Sequence, residues 1–406
     1  MHDASLTPAA LQARRGGPAA LAAALCESRV DTLATFEAYE RALPGLVVPL
    51  RAELNPPLWE LGHVGWFQEY WIARNPERHR GVAASPDSPR LPAMRADADR
   101  LYDSSRVPHD TRWALPLPAA DATRGDLESQ LAQTLERLRA SAADDAALYF
   151  FRLALLHEDM HHEAALYMAQ HLGVAIDDPR WQPSPLPSPP PALAFGAGVW
   201  EVGRAASEGF AFDNERPARR VELPAAAIDA QVVRWAEFLP FVDRGGYEQQ
   251  RWWSDPGWRW RRAQAAAAPR YLRRTARGWQ QRRGGAWTAL RLEEAACHLS
   301  LHEAEAWCRW SGRRLPSEAQ WERAAIGAGA AFRWGDVWEW TASRFEPHPG
   351  FAAHPYRDYS APWFDGRPVL RGASAMTQPR LRHPCYRNFF VAERNDVAAG
   401  FRSCAV

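Results

Sequence analysis

The segment at residues 155–166 combines helical periodicity with three closely spaced histidines. Apolar side chains recur three or four residues apart along it, which indicates an amphipathic helix. His157 and His161 are four residues apart and therefore lie on the same face of that helix. Two imidazoles at this spacing can hold one borderline metal ion. Because 406 residues contain only thirteen histidines, the cluster favours a metal site over a solvated polar helix.

Length and composition limit the class of protein. A chain of 406 residues predicts two domains, and 47% hydrophobic residues are enough for a sizeable core. The net charge of +1 gives no electrostatic reason to expect nucleic acid or an anionic membrane as a partner. The sequence has neither an apolar leader nor a long apolar run, so we expect a soluble, cytoplasmic protein. We also expect a monomer.

The five cysteines do not form a recognisable pattern. They are odd in number, scattered and outside any CxxC spacing: Cys26, Cys297, Cys308, Cys385 and Cys404. This distribution argues against a disulfide framework and against a cysteine-ligated zinc site. A metal ion in this chain is therefore expected to have histidine ligands.

The first 175 residues predict four amphipathic helices that form an up-and-down bundle. The predicted helices are 18–42, one that begins at the prolines 56–57, 124–142 and 145–172. The second carries His63 on an otherwise apolar face, where an unpaired polar group is costly to bury. A core histidine with a hydrogen-bond partner is the usual explanation of such a residue. The two-histidine helix in the same bundle instead makes His63 the third candidate ligand.

A proline-rich segment divides the chain. Residues 183–191 read Pro-Ser-Pro-Leu-Pro-Ser-Pro-Pro-Pro, which predicts an extended linker. The alternative is a surface loop wrapped over a single domain. With the linker placed at 183–192, we predict a helical domain at 1–182 and a second domain at 193–406. The second is rich in tryptophan, glycine and arginine, with two short predicted helices at 232–242 and 301–312.

Motifs on both sides of this segment resemble the ergothioneine sulfoxide synthases. Residues 62–67 (Gly-His-Val-Gly-Trp-Phe) and the pattern His157-x-x-x-His161-x-Glu163 resemble the iron site in the DinB-type bundle of that family. The later half resembles the formylglycine-generating-enzyme or C-type-lectin-like fold at 212–217, 312–322, 337–341, 370–372, 387–390 and 400–402. The resemblance implies an α+β multidomain protein, with an N-terminal DinB-like four-helix bundle and a C-terminal formylglycine-generating-enzyme-like domain.

The resemblance also implies a metal site and its chemistry. His63, His157 and His161 are expected to bind non-haem iron, Fe(II), with O2 as co-substrate. Three neutral imidazoles with open coordination positions suit such a centre. Glu163 is expected to orient one of the ligand histidines rather than to bind the metal. Oxidative attachment of sulfur or selenium to the imidazole carbon of hercynine, the betaine of histidine, is the implied reaction.

Substrate contacts follow from the same resemblance. Asn388 and Phe389 match the motif that the family uses for the betaine, whose quaternary ammonium favours aromatic faces. Either Tyr356 or Tyr359 corresponds to a catalytic tyrosine near the iron, and the sequence leaves both open. The residues predicted to line the substrate site are Arg112, Met160, Arg387, Asn388, Phe389 and Phe390.

Departures from the family pattern bear on the sulfur or selenium donor. Enzymes that use γ-glutamylcysteine share an arginine pair before the third helix and an Asn-Trp-Asp motif. Here the connector keeps at most Arg112, Phe390 replaces the aspartate, and Met160 replaces a glutamine between the helix ligands. A charged dipeptide needs charge-assisted partners. We therefore favour the related selenoneine synthases, which use a selenosugar, with γ-glutamylcysteine or cysteine as the alternative donor.

Other functions remain open at this point. His157-Glu158-x-x-His161 matches the zinc protease pattern, but a downstream ligand is needed and only Asp177 and Asp178 are near. A copper–cysteine oxidase of the formylglycine-generating type needs two nearby thiols. A zinc-dependent thiol transferase leaves the second domain unexplained. A lectin-like binding protein without catalysis is the remaining hypothesis.

Overall fold

The computed structural model describes residues 7–205 and 209–406. Its helices within these ranges are α1 (Pro8–Arg15), α2 (Pro18–Ala42), α3 (Pro57–Gln68), α4 (Ala98–Tyr102), α5 (Ala120–Arg139), α6 (Asp145–Leu172), α7 (Trp235–Asp243), α8 (Asp255–Ala263), α9 (Leu301–Ser311) and α10 (Glu318–Gly327). No helix in the described part of the chain is both long enough and apolar enough to cross a membrane.

The strands all lie after residue 192 of the described chain. They are β1 (Leu193–Phe195), β2 (Gly198–Val202), β3 (Arg219–Leu223), β4 (Ala226–Ile228), β5 (Leu272–Thr275), β6 (Gly278–Arg283), β7 (Ala286–Ala289), β8 (Arg313–Arg314), β9 (Trp338–Arg344), β10 (Pro368–Gly372), β11 (Asn388–Phe389), β12 (Ala399–Gly400) and β13 (Cys404–Ala405). Two four-stranded sheets have the orders β1-β4-β13-β8 and β11-β10-β9-β12. A β2–β3 hairpin and a β5–β6–β7 meander complete the sheet structure.

The four helices predicted for the bundle are α2, α3, α5 and α6. Local signals explain the bounds of α6: the Asp144 side chain accepts a hydrogen bond from the backbone N–H of Ala147, and Gly173 ends the helix at φ 79°. Helix α5 begins at Ala120, earlier than predicted, and α3 continues into a π-helical turn at Glu69–Ala73. The predicted helical first part of the chain is confirmed.

The proline-rich segment lies against the later part of the chain. The buried Leu186 donates its backbone N–H to the carbonyl of Glu293 at 2.8 Å. The carbonyl of Pro187 accepts hydrogen bonds from Gln231 and Arg234. These contacts fit the surface-loop interpretation as well as the linker, and the domain boundaries at 183–192 stay a prediction.

Helix α6 and the short helix α1 both join the bundle to the later part. Arg14 of α1 is buried and pairs with Glu215, with both guanidinium nitrogens bonded to the carboxylate at 2.8 and 2.9 Å. Asp159 of α6 accepts two hydrogen bonds from Arg380, at 2.9 and 3.1 Å. One large apolar cluster contains residues of both parts. Helix α6 therefore contacts both the other bundle helices and the later part of the chain.

Candidate metal centre

The structure brings together the three histidines predicted as metal ligands. His63 projects from α3, and His157 and His161 project from α6. One nitrogen from each ring lies within 4.8 Å of the others, and the ring centroids are 4.4 to 5.2 Å apart. The four-residue spacing on α6 thus produces the predicted pair, and packing of α3 against α6 supplies the third imidazole.

Two glycines beside His63 allow α3 to pack closely. A Cβ at Gly62 would lie 2.3 Å from the Tyr102 ring, and a Cβ at Gly65 would lie 2.2 Å from the Gln130 side chain. Real side-chain carbons do not approach so closely, so a side chain at position 62 would displace the rigid Tyr102 ring of α4, and one at position 65 would displace the end of the flexible Gln130 side chain. Gly62 thus allows α4 to pack directly against the part of α3 that carries His63.

Hydrogen bonds orient two of the three imidazoles. The Nδ1 of His63 lies 2.8 Å from the carbonyl of Tyr102 and therefore donates to it. The Nδ1 of His161 lies 2.6 Å from a carboxylate oxygen of Glu60. In both rings Nε2 is left as the acceptor nitrogen that a metal requires. His157 has a buried Nδ1 that bonds to no described residue, so its ring still has capacity for a ligand.

The electrostatics of the site favour neutral imidazoles at His63 and His157 and an ionised carboxylate at Glu60. Burial lowers the pKa of His63 to about 3, and burial also holds the pKa of His157 well below its ordinary value. Burial raises the pKa of Glu60, but the adjacent His161 outweighs that effect and brings the pKa to about 2. Neutral imidazole is the form that ligates metal ions.

Aromatic rings pack around the histidines. Phe67 lies parallel to His157 with ring centroids 3.5 Å apart, and Trp59 is stacked on His63 at 4.7 Å. Tyr356 contacts Phe67 edge-on at 4.9 Å, and its ring lies 6.2 Å from that of His157. These contacts fix the rings and keep water from their faces.

A second wall of the site comes from the later part of the chain. The hydroxyl of Tyr359 donates to that of Tyr386 at 3.1 Å, and Tyr386 donates to the sulfur of Met160 at 3.2 Å. Burial raises the pKa of Tyr359 well above its ordinary value, so its hydroxyl is neutral. Tyr386 was not predicted from the sequence. It follows Cys385 in a loop without periodicity, and no local signal marks it.

Of the two predicted tyrosines, the structure places Tyr356 next to the histidines. Tyr359 instead reaches α6 at Met160, with its hydroxyl 3.8 Å from the sulfur. The hydroxyl of Tyr356 forms no side-chain hydrogen bond with residues 7–205 or 209–406. Tyr356 therefore packs its ring near His157 and keeps an uncommitted hydroxyl, whereas the hydroxyl of Tyr359 is committed to Tyr386.

The structure differs from the prediction for Glu163. Its carboxylate accepts hydrogen bonds from Trp338 at 2.7 Å, Ser374 at 2.6 Å and Thr377 at 2.8 Å, all in the later part of the chain. It has no hydrogen bond to a histidine ligand among the described contacts. The carboxylate that orients His161 is Glu60, which the sequence analysis missed. Its position three residues before His63, on the same helix face, was the available signal.

Two further residues that the sequence analysis considered for the site, Arg387 and Glu158, are members of buried ion pairs. Arg387 donates to Glu318 at 2.9 and 3.2 Å and to two backbone carbonyls, so its donors are used within the fold rather than for the predicted substrate contact. Glu158 is buried and paired with Arg29 at 2.8 Å. A carboxylate in that position cannot serve as the base of the zinc protease alternative.

The remaining predicted substrate residues lie on the edge strand β11 and beside the metal centre. Phe389 stacks on Phe345 at 4.1 Å, and the Asn388 side chain accepts from the Phe389 backbone N–H. The guanidinium of Arg394 lies 5.0 Å from the Phe390 ring. Arg112 is half-buried over Trp59, next to the histidines.

A metal ion fits the residues that are present. Three convergent imidazoles, one with an unbonded buried nitrogen, form a donor set typical of zinc, copper or iron(II). No fourth His, Cys, Asp or Glu joins the cluster among the described residues. Coordination positions would therefore remain for small molecules.

The later part of the chain matches a known family model. Residues 181–336 match the description "Sulfatase-modifying factor enzyme 1-like domain". Together with the helical bundle, this match confirms the predicted fold class. Formylglycine-generating enzyme of Bos taurus is 33% identical over 169 residues, which cover 38% of this chain and 45% of that protein.

Two relatives match along nearly the whole chain. Hercynine oxygenase of Mycolicibacterium smegmatis is 31% identical over 443 aligned residues, which cover 94% of this chain and 97% of that protein. Hercynine oxygenase of Mycobacterium tuberculosis is also 31% identical, and the alignment covers 95% of this chain and 98% of that protein. The resemblance inferred from the motifs is thus confirmed for the family, and the selenoneine subfamily stays a prediction. The chain belongs to the hercynine oxygenase family.

Proposed function

We propose that the chain is an oxidoreductase that uses iron(II) and O2 to attach sulfur or selenium to the imidazole of hercynine. The observation that carries the proposal is the buried cluster of His63, His157 and His161 in a chain of this family. When bound, the iron would supply the redox chemistry and open positions for oxygen and the donor atom. The named relatives support hercynine as the substrate class.

The protein's own residues would position the reactants and exclude water. Phe67 and Trp59 hold the ligand rings by stacking, and their apolar faces lower the local dielectric. We assign the site tyrosine to Tyr356, because its ring lies beside His157 and its hydroxyl has no described protein partner. Tyr359 and Tyr386 would then orient Met160 against the substrate.

Hercynine would bind between the histidines and β11. Its quaternary ammonium favours aromatic rings, and those of Phe389 and its neighbour Tyr359 lie 6.4 Å apart between centroids. Asn388 is half-exposed at the edge of the sheet and can bond the carboxylate of the betaine. Arg387 would act indirectly, because its ion pair with Glu318 anchors the strand that carries both residues.

For the donor we propose a selenosugar, with γ-glutamylcysteine or cysteine as the alternative. Phe390 stands where a charged partner would be needed, and Arg394 over its ring is already paired with Asp396 at 2.6 and 2.7 Å. A dipeptide would have to desolvate its carboxylates without new partners, at roughly 1 to 3 kcal/mol for each uncompensated group. A sugar with one selenolate avoids most of that penalty.

The test is anaerobic reconstitution with iron(II), followed by oxygen uptake with hercynine and equal concentrations of a selenosugar, γ-glutamylcysteine and cysteine. We expect oxygen uptake that depends on hercynine and a selenium product as the main species by mass. His63→Ala is the control and should consume no oxygen. A dominant γ-glutamylcysteine product would contradict the donor assignment and place the chain with the sulfoxide synthases. Absence of hercynine-dependent uptake would contradict the proposed reaction.

A further inference from the structure

A chain of hydrogen bonds leads from Arg112 to the metal centre. The Nη1 of Arg112 donates to the side-chain oxygen of Asn55 at 2.9 Å. The amide nitrogen of Asn55 donates to Glu60 at 2.5 Å, and the other oxygen of Glu60 accepts from His161 at 2.6 Å. Each group in this series has the donor or acceptor that its neighbour requires. The position of the Glu60 carboxylate is therefore set from the Arg112 side as well as by His161.

A stack of flat groups leads from the same arginine to a second histidine. The guanidinium carbon of Arg112 lies 3.8 Å from the ring centroid of Trp59. Trp59 in turn lies 4.7 Å from His63, with an angle of 11° between the rings. Both rings also donate to consecutive backbone carbonyls of α4. The indole N–H of Trp59 bonds the carbonyl of Leu101, and Nδ1 of His63 bonds that of Tyr102, each at 2.8 Å.

We infer that Arg112 is a positioning residue for the metal centre, acting through Asn55 and Glu60 on His161 and through Trp59 on His63. The inference rests on the proposed function only in needing a metal ion at the three histidines. The sequence-based prediction that Arg112 contacts substrate stays a prediction. Glu60 becomes the carboxylate that fixes the tautomer of a ligand, the role first expected of Glu163.

The chemistry of the side chains supports this assignment. A carboxylate that accepts from the remote nitrogen of a ligand histidine fixes its orientation and strengthens its donation to the metal. A planar guanidinium can stack on an aromatic ring and hydrogen-bond in its own plane at once, which an ammonium cannot do. Arg112 does both, because its guanidinium stacks on the Trp59 ring and its Nη1 donates a hydrogen bond to the Asn55 side chain. Its Nη2 has only a 3.5 Å contact to Val107.

The experiment measures metal affinity directly. Cobalt(II) is titrated anaerobically into the metal-free protein, and binding is followed by the visible absorption of the cobalt. The variants are Glu60→Ala, Glu60→Gln, Arg112→Ala and Arg112→Lys. The matched controls are Glu40→Ala and Arg124→Ala, which break a partly exposed pair elsewhere in the bundle. Thermal melting of each metal-free variant separates loss of the site from loss of the fold.

We expect Glu60→Ala to weaken cobalt binding by roughly 10- to 100-fold, as removal of such partners typically does. Glu60→Gln keeps an oxygen that can accept from His161 and should lose less. Arg112→Ala and Arg112→Lys should both weaken binding by about three- to tenfold, since lysine cannot stack and bond as the guanidinium does. Both control variants should bind cobalt as the unmodified protein does.

Two results would overturn the inference. One is unchanged cobalt affinity in folded Glu60→Ala and Arg112→Ala proteins. The other is a raised KM for the donor in Arg112→Ala without any change in cobalt affinity, because that result assigns Arg112 to the donor. Failure of the proposed function is recognised separately by His63→Ala. Undiminished cobalt binding by that variant would show that the metal does not sit at the three histidines.

Discussion

The polar groups buried around the histidines differ from those buried between the strands of the later part. Between the strands, charged residues are paired with partners of opposite charge, as in Arg402 with Glu339 and Arg371 with Glu322. Around the metal centre, the polar groups are mostly neutral rings enclosed by aromatic side chains. Buried charge costs free energy unless it is compensated. The paired charges are therefore committed to the fold, whereas neutral imidazoles keep lone pairs for a ligand.

This contrast explains why some predicted site residues belong to the fold. Arg387 lies in a motif shared with the family, yet its guanidinium is buried and its donors are consumed by Glu318 and backbone carbonyls. Glu163 likewise has its carboxylate filled by three donors. His157 keeps a buried nitrogen with no described partner. Arg387 and Glu163 are therefore structural in their contacts, although both lie in motifs shared with the family.

The largest effect is expected from removing a histidine. His157→Ala should abolish metal binding and reduce activity to background, because two imidazoles leave the ion without its third protein ligand. The metal-free variant should remain folded, since no unpaired charge is created. Metal content and circular dichroism measure the two effects. A fully metallated and active variant would show that His157 is not a metal ligand.

Breaking a buried charge pair should have the opposite pattern. Arg402→Ala leaves Glu339 buried without its partner, and loss of one member of such a pair costs about 3 to 5 kcal/mol of unfolding free energy. Urea unfolding of the metal-free protein measures the loss. The variant that still folds should bind metal normally. A large fall in metal affinity with unchanged stability would show that the Arg402–Glu339 pair supports the metal centre and not the fold.

Glu303 sharpens the comparison because it is buried in the later part without an ion pair in the described structure. Burial raises its pKa to about 7, although Tyr247 and Ser300 donate to it. Because the folded-state pKa lies above the ordinary 4.5, protonation of Glu303 stabilises the folded protein, and this stabilisation is complete below pH 4.5. It is lost as the pH rises through about 7. Across this pH range the contribution of Glu303 to the free energy of unfolding changes by about 3 kcal/mol.

Glu303→Gln removes this titration. Relative to the unmodified protein, the variant should therefore become progressively more stable between pH 5 and 8. Unfolding free energies at several pH values give the difference, in which the titrations common to both proteins cancel. A difference that does not vary with pH would show that Glu303 has its ordinary pKa.

For metal affinity, no effect is expected where the two regions meet at Glu163. Glu163→Ala leaves the donors of Trp338, Ser374 and Thr377 without their acceptor, at about 1 to 3 kcal/mol for each donor that stays unsatisfied. Cobalt affinity of the folded variant should be unchanged, in contrast to Glu60→Ala. Reduced affinity in both variants would restore the first prediction that Glu163 supports a ligand.

The smallest effect concerns the proposed substrate wall. Asn388→Ala and Phe389→Ala should weaken hercynine binding while leaving the metal in place. An ammonium over an aromatic face contributes on the order of 0.5 to 2 kcal/mol, so Phe389→Ala should lose roughly threefold to thirtyfold in affinity. Calorimetry with hercynine measures the change. Unaltered affinity in both variants would move the betaine site away from β11.

Local sequence signals predicted the helices and the histidine cluster. The spacing of His157 and His161 sets their shared face, and Asp144 and Gly173 set the ends of α6. Orientation between distant segments was not predictable. Glu163 could be read as a partner of a nearby histidine until the packing of α6 showed its contact with Trp338, 175 positions away. Tyr386 enters the site through that same packing.

The glycines beside His63 have a consequence for engineering the protein. Replacing a helical glycine by alanine usually stabilises a helix by up to about 1 kcal/mol. At Gly62 the added methyl would meet the ring of Tyr102, whose backbone carbonyl holds His63. Any gain in helix propensity would therefore be opposed by displacement of α4 and of the imidazole that depends on it. Thermostabilised variants of this chain should keep glycine at position 62.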